Sequence, residues 1–380
     1  MADNVRDGRH AATGLGRPLS DEVALGTYSH PVLSPHMTKS LRRLGALGAL
    51  GSVAIVGCSS GAPTATPSSS TTGSRSASAS VSPSPTAVTN ASPFSGRAGG
   101  AGKQVLIVKI DNTRPAQPHV GLRQADVVYI EEVEGGLTRI AAVFATTLPR
   151  VIGPIRSARI TDIQLFAQYG RPAFAYSGAQ HKLKPALAAA PFYDVSEDAG
   201  GRGYFRDHSR FAPYNLMGRS AQLLARAPKA STASDIGFVF STDVPGGGRA
   251  GTTMRATWPS SSAGFVWVPS TKTYKVSLNG RPARASEGGG QYATTVVVQY
   301  VKEKNSGYGD KFGEKTPLSV TTGTGKGWVL RGGQAWPVTW SRPSLSVGTR
   351  YLGANGQPVP FGVGQVWVLL VNKKSPISVR

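Results

Sequence analysis

The residues best suited to chemistry lie between Asp111 and Arg159. Asp111, Glu131, Glu132 and Glu134 fall at or near strand ends around one turn. Carboxylates gathered in this way can run general acid–base chemistry on a glycan, with Asp111, Glu131 and Glu134 as the catalytic set. A plainer reading stands beside it. A two-residue Gly135-Gly136 loop would place Glu132 opposite Arg139, a cross-strand ion pair that needs no function. The second constellation is basic. Gly153-Pro154 predicts a turn, and Ser157 is a natural N-cap for a following helix. Arg156 and Arg159 then sit beside the positive end of the helix dipole, where cations are disfavoured. Either Glu131, Glu134 or Asp162 compensates them, or a phosphate or carboxylate binds at the free N–H groups. In the second case Arg139, Arg156, Ser157 and Arg159 form an anion site.

Other chemistries lack their residues. His119, His181 and His208 are the only histidines beyond Cys58, and none has metal-ligand spacing. No GxSxG elbow, suitable SxxK, HExxH, P-loop or GxGxxG occurs, so neither a metal nor any other cofactor is expected. Cys58 is the single cysteine, which rules out an internal disulfide, a thiolate cluster and a CxxC pair. Its context assigns it another task. Lys39, Arg42 and Arg43 precede an apolar stretch from Leu44 to Val56, of signal-peptide length and too short to span a bilayer. The stretch ends in Ile55-Val56-Gly57-Cys58, which resembles a lipobox: a small residue before the cut and a thiol to take the lipid. Residues 37–57 are therefore read as a lipoprotein signal peptide and Cys58 as the lipidation site. The polar residues 1–36 are read as a start-site miscall or a cytoplasmic extension. The export route, general secretory or twin-arginine, stays open.

These residues must be carried by folded elements. Residues 58–102 are nearly all Ser, Thr, Ala, Pro and Gly after the cysteine, a composition that predicts a disordered spacer. Residues 103–240 read as an α+β domain. Val105–Ile110 predicts a buried strand, Val127–Val133 a second, and Leu137–Phe144 a third beyond the Gly-Gly turn. Helices are predicted from about Ser157 to Tyr169, over Leu183–Ala190 and over Pro213–Ala227. Residues 250–376 read as a β-rich domain with turns at Asn279-Gly280, Gly332-Gly333 and Asn355-Gly356. Alternation marks Tyr274–Leu278, and Val296–Val298 and Val366–Val371 have the apolar continuity of central strands. The fold class expected is mixed α+β followed by β.

The net charge of +22 would suggest nucleic acid in a cytoplasmic chain. Behind an export signal it points instead to anionic lipid headgroups or wall polymers. Residues 103–240 carry 17 basic and 11 acidic side chains, whereas residues 241–380 carry 17 and 5. The second half is therefore the better suited to an anionic surface; the plainer reading is that its basic residues serve solubility alone.

Specific strings carry a family resemblance. They are Asp111-Asn112, Gln124–Tyr129, Glu134–Arg139 and Gly153–Arg159, then Tyr204–Asp207, Ala212–Asn215, and Gly325–Trp328 with Trp340. Together they resemble the YerB-like family of bacterial lipoproteins over essentially all of residues 103–380. One departure is Ile130, where that family usually places an acid directly after the tyrosine. The resemblance implies two domains of unknown function behind a lipobox, with no enzymatic activity to carry over. The expectation is thus a binding or scaffold lipoprotein, anchored at the extracytoplasmic face of the membrane. It would take an anionic wall polymer or lipid headgroup and no nucleic acid. The alternative is a cell-wall glycan-active enzyme using the carboxylates near Asp111 and Glu134. A cleft with two facing carboxylates would favour the enzyme, and a shallow basic groove would favour binding.

Overall fold

The computed structural model describes residues 90–310 and 313–380; Cys58, the signal segment and linker residues up to 89 lie outside them. Within the stretch expected to be disordered, the chain is already packed from Phe94 onward. Phe94 is fully buried, edge-on to Tyr169 with ring centroids 5.1 Å apart. It is the only aromatic side chain between Ser59 and Gly102, and burying it offsets the ordering cost of a polar segment.

The first strands form as expected. Strand β1 (Leu106–Asp111) pairs antiparallel with β3 (Thr138–Phe144), which pairs antiparallel with β2 (Val127–Glu132). Beyond β1 lie the short parallel strands β4 (Ala173–Ala175) and β5 (Tyr193–Asp194). Helix α1 (Ile160–Phe166) and helix α2 (Lys184–Ala188) are shorter than predicted. The helix expected over Pro213–Ala227 is mostly absent. Leu216–Gly218 is a strand, and only Ser220–Leu224, α3, is helical. Leu216 and Met217 are buried there, and Gly218 exchanges backbone bonds with Ile152, so tertiary pairing overrides local preference.

The second half supplies β6 (Thr253–Trp258), β7 (Ser261–Val268) and β8 (Thr273–Leu278), the core of a six-stranded sheet. The turn at Asn279-Gly280 has positive φ at both residues, as the sequence leads one to expect. Next come the long strand β9 (Thr295–Gly309), its hairpin partner β10 (Lys315–Val320), β11 (Gly323–Arg331), β12 (Gln334–Arg342) and β13 (Arg350–Leu352). Strand β14 (Val366–Asn372) is followed by β15 (Ile377–Val379), which joins the edge of the six-stranded sheet beside β6.

The sequence halves do not fold into separate sheets. Strand β14 lies between β2 and β9 and runs parallel to both. One large sheet therefore runs in the order β13-β12-β11-β9-β14-β2-β3-β1-β4-β5. Strand β14 is apolar on both faces, as suits a central strand covered by a packing layer on each side. One face packs on the smaller sheet through Trp258, Phe265 and Trp367. The other packs under α1 and α2 through Tyr129, Leu165, Phe166, Phe174 and Leu187. The chain is predominantly β, with every α-helix of the described residues between Ile160 and Leu224. Trp340 closes over Gly325, where a Cβ would meet the indole at 2.5 Å. That close approach explains why a glycine stands at Gly325.

Because β14 joins the halves, residues 90–380 are expected to unfold in one thermal transition by circular dichroism. A chain of residues 90–245 alone should show no cooperative transition. Independent melting of the two halves would contradict the shared sheet.

Candidate functional site

The site begins with a lysine inside an apolar strand. Lys109 points to the helix-covered face of β1 and is fully buried, as are Glu131 and Asp162. Its ammonium contacts the Glu131 carboxylate and lies 2.6 Å from Asp162 Oδ1. A buried lysine is tolerated only with such partners. Burial and the neighbouring Asp162 push Glu131 up to about 7, outweighing the pull of Lys109. Glu131 thus belongs to the interior, away from the pocket it was expected to line.

Asp162 also accepts the backbone N–H of Arg159 at 2.7 Å. This carboxylate pins the start of α1 to the sheet and satisfies one of its orphan donors. Ser157 is consequently not the N-cap; Arg159 is. The reason is the extended path before the helix. Arg156 N–H donates to the Lys109 carbonyl and Ala158 N–H to the Gly178 carbonyl, which keeps Ser157 out of helical conformation.

The turn after β2 changes the expected register. Glu134–Gly136 forms a short 3₁₀ turn instead of a two-residue loop, so Arg139 faces Glu131, and Glu132 faces Thr138. A shift of one residue moves every side chain to the other face. The Glu132–Arg139 ion pair is therefore not formed. Arg139 joins Asp111 and Glu131 on the helix-covered face. Glu132 lies on the opposite face beside Glu303, where burial and that second carboxylate push it up to about 7.

Members of both constellations picked from the sequence meet in one pocket of about 390 Å³, without Glu131, Glu132 or Ser157. Arg139, Arg156 and Arg159 line it with Asp111 and Glu134, and the β9–β10 hairpin adds Asp310 and Glu314. Arg156 Nε donates to Asp111, and its guanidinium lies 5.3 Å from the Tyr214 ring centre. Arg159 grips Glu134 through Nε and Nη2, at 2.9 and 2.7 Å to Oε2. Thr316 of β10 donates its hydroxyl to Glu134 as well. Arg159 thus has one of the expected internal partners, Glu134, whereas Arg156 pairs with Asp111, which was not among those expected.

Arg139 differs. Its Nη1 donates to the Ser157 carbonyl at 2.9 Å, and it forms no ion pair with any carboxylate of the described residues. Burial, reinforced by Arg159, pushes it down to about 9. It still carries its charge at neutral pH, and an anion beside it would relieve both effects. Burial would raise Asp111, yet Arg156 and two bonds from Thr113 outweigh it and hold the carboxyl below its usual range. Glu134 is also held low, because Arg159 and Thr316 outweigh burial. Sequence reasoning passes over Lys109, although a lone cation within an apolar run signals a buried partner.

No cluster of three His, Cys, Asp or Glu side chains among the described residues is arranged to hold a metal ion. The family model described as "Protein of unknown function (DUF3048) N-terminal domain" matches residues 94–233, and its C-terminal counterpart matches residues 252–368. The chain belongs to the DUF3048, or YerB-like, family. A relative from Bacillus subtilis (strain 168), named "Putative lipoprotein YerB", is 28% identical over 127 residues. That match spans 32% of this chain and 38% of the relative. A crystal structure of the YerB protein from Bacillus subtilis superposes with a TM-score of 0.64 at 20% identity, covering 75% of this chain and 98% of that one. This likeness establishes a shared fold. The family's N-terminal boundary at Phe94 coincides with the first buried aromatic side chain.

Lys109→Met should destabilise the fold by about 3–5 kcal/mol in denaturant titrations, since it leaves two buried carboxylates without their cation. Glu131 gives a pH signature. Unfolded, it releases its proton near its ordinary value of 4.5; folded, it holds the proton up to about 7. The folded state binds more protons between these values, so this contribution is full below about 4.5 and is lost as pH rises through about 7. Glu131→Gln should remove that slope, and an unchanged slope would place the titration elsewhere.

Proposed function

We propose that this chain is a lipid-anchored, extracytoplasmic binding protein of the cell envelope, whose pocket holds a carboxylate- or phosphate-bearing ligand on Arg139. The observation that carries this reading is the half-buried Arg139, which lines the pocket within the field of Glu134 and Asp111 but forms an ion pair with neither. Arg156 and Arg159 flank it but are already paired with Asp111 and Glu134. A planar guanidinium suits a ligand that accepts two parallel hydrogen bonds.

At the Arg139 pocket the state of the acids favours binding over glycan hydrolysis. A glycosidase needs one carboxyl group that keeps its proton near neutral pH. Asp111 and Glu134 are both held low, and Glu131 lies in the interior. Anchoring rests on Ile55-Val56-Gly57-Cys58 and on the lipoprotein name of the Bacillus relative. No helix among the described residues is long and apolar enough to cross a membrane. Two acyl chains on Cys58, each CH₂ contributing about 0.8 kcal/mol, would hold the protein at the bilayer.

Arg139→Gln should weaken binding of carboxylate- or phosphate-bearing wall fragments by about ten- to hundredfold in calorimetric titrations. Arg139→Lys should recover part of that loss. Cys58→Ala should release the protein from the detergent phase and remove acyl mass from its N-terminal peptide. Identical titrations for wild type and Arg139→Gln would overturn the binding site, and unchanged partitioning of Cys58→Ala would overturn the anchor.

A further inference from the structure

A second candidate site shares no residue with the Arg139 pocket. A pocket of about 560 Å³ is lined by Trp267, Lys272, Thr273, Thr294 and Arg331, among others. A neighbouring one of about 200 Å³ is lined by Arg97, Arg123 and Tyr292, and it shares Thr273 and Thr294 with the first. The two pockets adjoin at the shared threonines and are taken together as a groove, with two cations in each lining and no acidic side chain in either. None of the four cations forms an ion pair with a carboxylate of the described residues.

Arg331 is the most telling of them. It is only 3% exposed, and its Nη groups donate to the carbonyls of Pro360 and Thr242. Two neutral carbonyls orient a guanidinium without neutralising it. Asp243 acts on Arg331 and Asp126 on Arg97 through their charge, without ion-pair contact. Asp126 is itself committed to Ser95 and to the backbone N–H groups of Ala145 and Thr146. A chain rich in cations can leave exposed ones unpaired at little cost, but a buried unpaired arginine at a pocket wall is costly.

The rest of the lining narrows the ligand. Trp267 is half-buried and packs on Tyr274, with ring centroids 5.1 Å apart, so its ring is held rigidly at the wall. An aromatic face, hydroxyl groups and spaced cations together match a sugar ring that carries acidic substituents. The sugar's C–H face lies on the indole, its hydroxyls meet the threonines, and its acidic groups reach the guanidiniums. We infer that this groove binds an acidic glycan, with successive anionic residues seated at Arg331–Lys272 and at Arg97–Arg123. Both sequence halves contribute to it, so the site exists only when the shared sheet is formed.

The test uses full-length protein in detergent with an oligogalacturonate as probe and a neutral oligosaccharide of equal length as control. Arg123→Glu combined with Lys272→Glu changes two exposed residues and should weaken oligogalacturonate binding by at least about tenfold. Lys302→Glu with Lys304→Glu makes the same change of charge on the exposed β9 edge and should leave binding within about twofold. Trp267→Phe should abolish the ligand-induced change in tryptophan fluorescence. Equal losses from both charge-reversal pairs, equal binding of the neutral sugar, or competition by anionic phospholipid vesicles in place of the glycan would each overturn the inference.

Discussion

One buried ion cluster organises the first half of the molecule. Lys109 on β1 draws together Glu131 on β2 and Asp162 at the start of α1. Asp162 reaches further, to the Arg159 backbone, so the same carboxylate that neutralises the lysine fixes where the helix begins. The extended segment before it then delivers Arg156 to Asp111 and the Ser157 carbonyl to Arg139. Removing the lysine would leave two buried carboxylates without a cation, so the arrangement depends on Lys109 above all. The pocket is consequently built on rigid supports, and its open cation is held in place from behind.

Much of this was legible in the residues, and the exceptions have physical causes. The core strands followed from apolar runs, and the alternation of Tyr274, Val276 and Leu278 matched their burial. The turns with paired positive φ could be placed at Asn279-Gly280 and Gly332-Gly333 because few other residues accept that conformation. The register after β2 was not legible, since a 3₁₀ turn and a two-residue loop differ by one residue and both suit Gly135-Gly136. Nor was the fate of Leu216–Gly218, whose strand is imposed by a distant partner, Ile152. The shared sheet was hidden for the same reason: pairing of β14 with β2 spans more than half the described chain, and no local pattern encodes it.

The two sites divide the chemistry of the surface. Around Arg139 acidic and basic groups interleave, which favours selection of a small ligand by geometry over attraction by field. The groove at Arg331 has cations without acids, which favours capture of an extended anion and a marked dependence on salt. Charge in the sequence pointed to the second half as the anion-facing part, and the groove draws Lys272 and Arg331 from it but takes Arg97 and Arg123 from the first.

The most direct measurement of the central claim is the arginine side-chain NMR spectrum of the protein during titration with a carboxylate- or phosphate-bearing wall fragment. Arg139 has an open guanidinium, whereas Arg156 and Arg159 are engaged by Asp111 and Glu134. The expected result is a saturable shift of the Arg139 resonance, with much smaller movement of the other two. A spectrum in which Arg139 stays fixed, or in which all exposed arginines shift together without saturation, would contradict a ligand site at Arg139.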